Sequence, residues 1–205
     1  MSLAQIEVYE FISLVYLRYC ATLFQYDMKE KKTITELTQY SVEEYREKEK
    51  LPLRILLDNV RSMQNVGSIL RTSDAFLVEG VVMAGITGIP PHKEISKTAL
   101  GAEDSVEWCY VENSLDECLR LKEDGWTICV LEQTHDSMNL MDFEALTDKK
   151  YLLVVGNEVN GVDQKIVDMA DMILEIPMHG VKHSLNVAVS AGMAILKLSH
   201  ELQQL

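Results

Sequence analysis

The chain has 205 residues, 47% hydrophobic and 25% charged, ordinary for a soluble globular protein of one domain with an extension. Its formal net charge of −13 excludes a grip on nucleic acid through overall charge. Cys20, Cys109, Cys118 and Cys129 are scattered without C-x-x-C spacing, which excludes a thiolate metal cluster and reads as reduced, packed thiols of a cytoplasmic protein.

In chain order, Ile6–Phe24 is aromatic and apolar. Glu7, Glu10 and Arg18 interrupt it and no basic start precedes it, so neither a signal peptide nor a membrane span is expected. A packed or interfacial helix is expected there, then an exposed charged helix over Lys29–Lys50. Residues 1–50 thus form an N-terminal helical extension to a domain at 51–205. Leu53–Val60 reads as a strand. After Asn65, the apolar positions Val66, Ile69, Leu70, Phe76 and Leu77 have helical spacing, with Ser73 the polar exception. Gly67 and Arg71, four apart, share a different face. A surface pair of Arg71 with Asp74 contributes only ~0.3 kcal/mol. It leaves Gly67 unexplained, although glycine costs a helix interior up to ~1 kcal/mol. A face cleared for a ligand to meet a guanidinium explains both residues.

Further strand-like runs are Gly80–Ala84, Val106–Val111, Thr127–Leu131, Tyr151–Val155 and Met172–Ile176. Helical runs are Glu94–Leu100 after the Pro90-Pro91 loop, Ser114–Lys122, Val162–Met169 and Leu185–Leu202. This alternation predicts an α/β fold, a mostly parallel sheet with helices on both faces. Gly192 in the apolar last helix points to close helix approach, across a subunit contact or within one subunit.

Two loops follow strands and carry polar residues. Gly156–Gly161 has two glycines and two asparagines, which suit positive φ and exposed backbone N–H groups. Its G-x4-G spacing resembles a phosphate loop, but Val162-Asp163 replaces the required Lys and Ser/Thr, so a nucleoside triphosphate site is rejected. No G-x-G-x-x-G follows a strand, which weighs against a nucleotide-dependent oxidoreductase. Glu158 is either a solvated turn carboxylate or a ligand group. In the second loop, Lys182, Ser184 and Asn186 stand at the mouth of an apolar helix. There Ser184 is either a helix N-cap or a ligand contact. His179 and His183 are four apart, but Gly180 breaks the segment and no acidic third ligand is apparent, so no metal is expected.

Three ordered segments resemble a known family. Asn65-Val66-Gly67-Ser68-Ile69-Leu70-Arg71-Thr72, then Leu153 through Gly161, then Ile176-Pro177-Met178 with Gly180 and Ser184-Leu185-Asn186-Val187 are similar to the motifs of SpoU-type (TrmH-like) RNA 2′-O-ribose methyltransferases of the SPOUT superfamily. Lys97–Ala102 resembles a further family segment, and Ala188 departs from the Ser of many relatives. The resemblance runs from about Leu51 to His200. It implies a homodimeric, SPOUT-like α/β domain with a C-terminal trefoil knot, something bottom-up reasoning does not propose. It implies S-adenosylmethionine held by Val155, Gly156, Asn157, Gly161, Ile176, Met178, Gly180, Ser184 and Leu185. It carries catalytic roles onto Asn65, Arg71, Glu158, Ser184 and Asn186.

The implied chemistry suits these residues. In-line methyl transfer from a sulfonium needs no metal, but a ribose 2′-hydroxyl is a weak acid that must be positioned and eased of its proton. A guanidinium with a pKa above ~12 is a poor base, so Arg71 is expected to grip the adjacent phosphate and orient the hydroxyl. Asn65, Ser184 and Asn186 would hold hydroxyl and cofactor. The expected partners are transfer or ribosomal RNA and a second copy of the chain, with no membrane. Acidic excess concentrates in residues 101–150, which carry 13 acidic against 4 basic side chains, away from the motifs. The first-motif segment is slightly positive through Arg54, Arg61, Arg71, Lys93 and Lys97. The alternative is a non-catalytic RNA- or cofactor-binding module, from which loss of one or more of the five carried-over residues would be expected; all five are present.

Overall fold

β-Branched and leucine-rich runs supply the strands: β1 (Leu51–Asp58), β2 (Val78–Ala84), β3 (Trp108–Val111), β4 (Trp126–Leu131), β5 (Met138–Asn139), β6 (Lys150–Val155) and β7 (Met172–Glu175). They form one seven-stranded sheet of order β3-β2-β1-β6-β4-β7-β5. Every pairing is parallel, and in the register of the central strands Ile55 stands opposite Val81 on one side and Leu153 on the other. A computed structural model describes residues 12–16, 30–37 and 40–204. It divides the chain into Met1–Gln39 and Tyr40–Leu205.

In the first unit, residues 12–16 are helical (α1) and Ile34–Leu37 forms α2. Most of the Ile6–Phe24 run lies outside the described residues. The single charged helix expected over Lys29–Lys50 is instead two short ones. The second, α3 (Val42–Glu47), belongs to the second unit and starts anew because Ser41 and Glu44 form a capping box.

The remaining helices are α4 (Met63–Ala75), α5 (Lys93–Ala99), α6 (Ala102–Ser105), α7 (Ser114–Glu123), α8 (Gln164–Met169) and α9 (Val187–Gln203). Side chains of a strand alternate between faces, and the two cores follow that alternation. Leu53, Ile55, Leu57, Leu153 and Val155 pack with α4, α5 and α9 on one face. Leu56, Val82, Leu152 and Val154 pack with α7 and α8 on the other. The crossovers of β1, β2 and β3 thus use one face, and those leading to β4 and β7 the other. The switch lies between β1 and β6, and ligands of open α/β sheets bind beyond the C-terminal ends of strands near such a point.

Local chemistry moves several boundaries. β1 stops at Asp58 rather than Val60 because Asn59 takes φ 57°, which no strand continues. α4 begins at Met63, capped by Ser62, so Asn65 lies in its first turn rather than ahead of it. Asp163 caps α8 and Asn186 caps α9, each by accepting N–H bonds two residues on. Ser184 is therefore not the cap. Leu100 (φ 52°) and Gly101 (φ 94°) separate α5 from the short α6. Burial pushes the Cys118 and Cys129 thiols up to about 12. Cys109 departs from the packing expectation, being exposed on the edge strand β3.

Candidate active site

The Gly156–Gly161 turn folds onto itself. Asn157 and Gly161 exchange backbone hydrogen bonds at 3.0 and 2.9 Å. The Asn157 carboxamide oxygen accepts from the N–H groups of Val159 (2.9 Å) and Asn160 (3.1 Å), and its Nδ2 donates to the Asn59 carbonyl at 2.8 Å. Glu132, just past β4, accepts from Val162 N–H at 3.0 Å. The expected row of exposed N–H groups is thus largely consumed inside the protein, and neither asparagine takes positive φ. Gly161 takes the positive φ expected of it, and both glycines answer to space. A Cβ on Gly156 would lie 2.2 Å from the Gly161 carbonyl carbon and the Val162 nitrogen. Gly161 has φ 71°, and a Cβ there would meet Glu132 Oε1 at 2.2 Å.

Glu158 reaches from this turn to the start of α4. Its oxygens accept from Arg61 N–H (2.9 Å), Ser62 N–H (3.0 Å) and Asn65 Nδ2 (2.9 Å). Partial burial raises its pKa, but these donors outweigh it and hold the carboxyl below its ordinary value. Asn65 Oδ1 in turn accepts from Asn186 Nδ2 at 3.1 Å, while Asn186 Oδ1 caps α9. Glu158, Asn65 and Asn186, 121 residues apart at the extremes, form one hydrogen-bonded chain. It ties the β6–α8 turn, α4 and the β7–α9 loop together.

A cavity of about 730 Å³ opens beside this chain, beyond the ends of β4, β6 and β7. Val155, Gly156, Asn157, Gly161, Ile176, Met178, Ser184 and Leu185 all line it, as do Glu158 and Asn186. Gly180 does not line it and has open space around it. Asn65 stands behind the wall. Arg71 lies six residues further along α4, roughly 9 Å at 1.5 Å per residue, exposed and outside the lining. No Arg71–Asp74 pair forms; Asp74 accepts from Ser105 Oγ instead. The Gly67 face is also not cleared for a ligand. A Cβ there would lie 2.3 Å from the Ile95 carbonyl and 3.0 Å from the Ala99 nitrogen, so α5 fills that space. No cluster of metal-ligating side chains exists among the described residues, His179 and His183 included.

Reading by motif missed the wall formed by Leu131, Glu132, Gln133 and Thr134. Their only signal was their place just after a strand, where sheets of this kind bind ligands. Thr134 Oγ1 is buried there without a hydrogen-bond partner.

A parallel sheet covered on both faces, with loops gathered around a cavity beyond β4, β6 and β7, defines the class of the protein as an α/β domain with a cavity at the C-terminal ends of its central strands. The sequence profile of the SpoU rRNA methylase family matches residues 52–196. An uncharacterized tRNA/rRNA methyltransferase of Borreliella burgdorferi is 30% identical over 177 residues, 86% of this chain and 76% of that protein. Another, from Mycoplasma genitalium, is 32% identical over 73% of this chain, which spans 61% of its length. The A. aeolicus TrmH/SpoU tRNA modifying enzyme superposes with a TM-score of 0.71 at 30% identity, over 80% of this chain and 81% of that one. An AdoMet-bound rRNA methyltransferase of Sinorhizobium meliloti shares the fold, with a TM-score of 0.69 at 23% identity over 80% of this chain and 62% of its own. The chain belongs to the SpoU rRNA methylase family and is, by family, a TrmH-like RNA methyltransferase.

Proposed function

We propose that the protein transfers a methyl group from S-adenosylmethionine to a ribose 2′-hydroxyl of transfer or ribosomal RNA in the cytoplasm, and that it does so as a homodimer. The observation that carries this reading is the Glu158–Asn65–Asn186 chain, which ties a first-motif residue behind the wall to second- and third-motif residues that line one cavity. The cavity suits the cofactor. Thr134 Oγ1 lacks a partner that a polar ligand atom would supply. Glu132, Glu158 and Glu175 line the cavity with carboxylates suited to a cationic sulfonium.

S-adenosylmethionine held there by Val155–Gly161, Ile176–Met178 and Ser184-Leu185 supplies an electrophilic methyl. The chain's own residues prepare the nucleophile. Glu158, saturated by three donors and kept ionised, fixes the Asn65 carboxamide rather than taking a proton. Asn65, from behind the wall, holds the Asn186 carboxamide that positions the hydroxyl, with Ser184 at the cavity mouth. The exposed guanidinium of Arg71 grips the neighbouring phosphate and stabilises negative charge growing on the sugar oxygen as its proton leaves to solvent. The carried-over trefoil knot and the dimer belong to the same reading. Leu185, Val189, Met193 and Leu196 stay 41%, 53%, 44% and 55% exposed, and the last three make one apolar stripe along α9 that fits a second copy.

The test is methylation of bulk RNA with labelled S-adenosylmethionine, followed by nucleoside mapping. A 2′-O-methylnucleoside is expected, and Arg71→Ala is expected to lower turnover at least 100-fold while calorimetric cofactor affinity holds. A base-methylated product overturns the ribose assignment. Cofactor binding with no methylation of any RNA pool points to the non-catalytic module.

A further inference from the structure

Residues 40–204 contain 15 lysines and arginines, and most are engaged. Arg54 pairs with Glu79, Arg120 with Glu117 and Asp124, Lys122 with Asp171, and Lys197 with Glu201. Arg46 and Lys50 donate to backbone carbonyls, while Lys48 and Lys150 sit over aromatic rings. Lys149, Lys165 and Lys182 stand singly on separate elements. Arg61, Arg71, Lys93 and Lys97 are exposed, lack such partners among the described residues, and share one layer.

Contacts between α4 and the α5–α6 segment set the elements that carry these four side by side. Gln64, in the first turn of α4, donates to Glu94 at 2.8 Å, and Thr98 Oγ1 donates to the Gln64 carbonyl at 3.0 Å. One turn on, Gly67 abuts Ile95 and Ala99. Two turns further, Asp74 meets Ser105. Arg71 is the rung between Gly67 and Asp74 on this side of α4. Arg61 leads into the same helix, and Lys93 and Lys97 flank the Glu94 that Gln64 binds. Three acids of the layer accept from neutral donors and keep their charge: Glu94 from Gln64, Asp74 from Ser105 and Glu158 from its three donors. The four exposed cations have no carboxylate within ion-pair distance among the described residues, in a chain of net charge −13. From Arg61 to Arg71 the span is roughly 15 Å, enough for several phosphates of one strand.

We propose that α4 and α5 form the phosphate track of this protein, on which Lys93 and Lys97 position an RNA backbone beside Arg71. This rests on the RNA methylation reading and adds where an acidic protein holds its polyanion. Lys93 and Lys97 are positioning residues, not groups at the reacting atoms.

The experiment compares the full chain with Lys93→Ala/Lys97→Ala, and with Lys149→Ala/Lys165→Ala as a control, in filter binding of bulk RNA across a salt series and in methylation kinetics. Loss of two phosphate contacts is expected to lower the slope of log affinity against log salt by about 1.5. KM for RNA is expected to rise about tenfold, with kcat and calorimetric cofactor affinity kept, and the control variant is expected to match the parent. An unchanged salt slope and KM in Lys93→Ala/Lys97→Ala, with the parent binding RNA normally, overturns the track and leaves the methylation reading standing. A parent that binds no RNA at any salt overturns both.

Discussion

Asn65 has a donor end and an acceptor end, and the fold uses both, toward Glu158 and from Asn186. A carboxamide held at each end has one orientation, which a positioning role requires. Asn65→Asp would put a carboxylate against Glu158, and methylation is expected to fall at least tenfold with a raised KM for RNA. Glu158 itself binds the N-terminal end of α4, where the helix dipole favours a negative charge. Its pKa lies below the ordinary 4.5, so its contribution is complete above that value and is lost as pH falls through the lowered folded one. Glu158→Gln keeps the shape and removes the charge. It is expected to cost about 0.5–1 kcal/mol at pH 7, limited by exposure to water. Urea unfolding of the two proteins should differ at pH 7 and converge as pH falls through the lowered folded pKa of Glu158.

At the scale of elements, close packing explains the glycines that sequence reading assigned to ligands. Gly67→Ala would gain helix propensity but drive a Cβ into the Ile95 carbonyl, a backbone atom that cannot rotate away. The clash wins, and a net loss of about 1–3 kcal/mol is expected, at about 2–4 °C of melting temperature per kcal/mol. Gly156→Ala meets the backbone of Gly161 and Val162 in the same way. It should open the turn and weaken S-adenosylmethionine binding at least tenfold by calorimetry. Strand and helix identities were legible because apolar periodicity reports the core directly, as Leu53–Val60 and Val66–Leu77 did. The short β5 and α6 were not, since two and four residues carry no period. The caps at Ser62, Asp163 and Asn186 were written in residue type, but which of several polar residues caps each helix was settled by where the chain turned.

For the whole molecule, the apolar stripe of α9 is the feature left without a partner among the described residues. Val189→Lys/Met193→Lys changes exposed positions only, so the monomer fold should survive. In the homodimer reading, light scattering should show the parent at twice the chain mass and the variant at one. A parent of single mass removes the dimer from the reading. The same helix shows how far Gly192 reached. Its added Cβ meets only Thr72 of α4, at 4.0 Å, so the close approach it marks inside the subunit is to α4 and is loose.

Residue order alone determined the parallel α/β class, because hydrophobic period is a local property, and the family resemblance carried by three segments supplied ten of the cavity's lining residues. Tertiary structure decided that α5 rather than a ligand occupies the Gly67 face, that Glu132 and Thr134 join the cavity, and that Arg54 is spent on Glu79 while Lys93 and Lys97 remain free. Those facts depend on which side chains from distant segments arrive at one place, and partnership between such segments is not encoded in the spacing of either one.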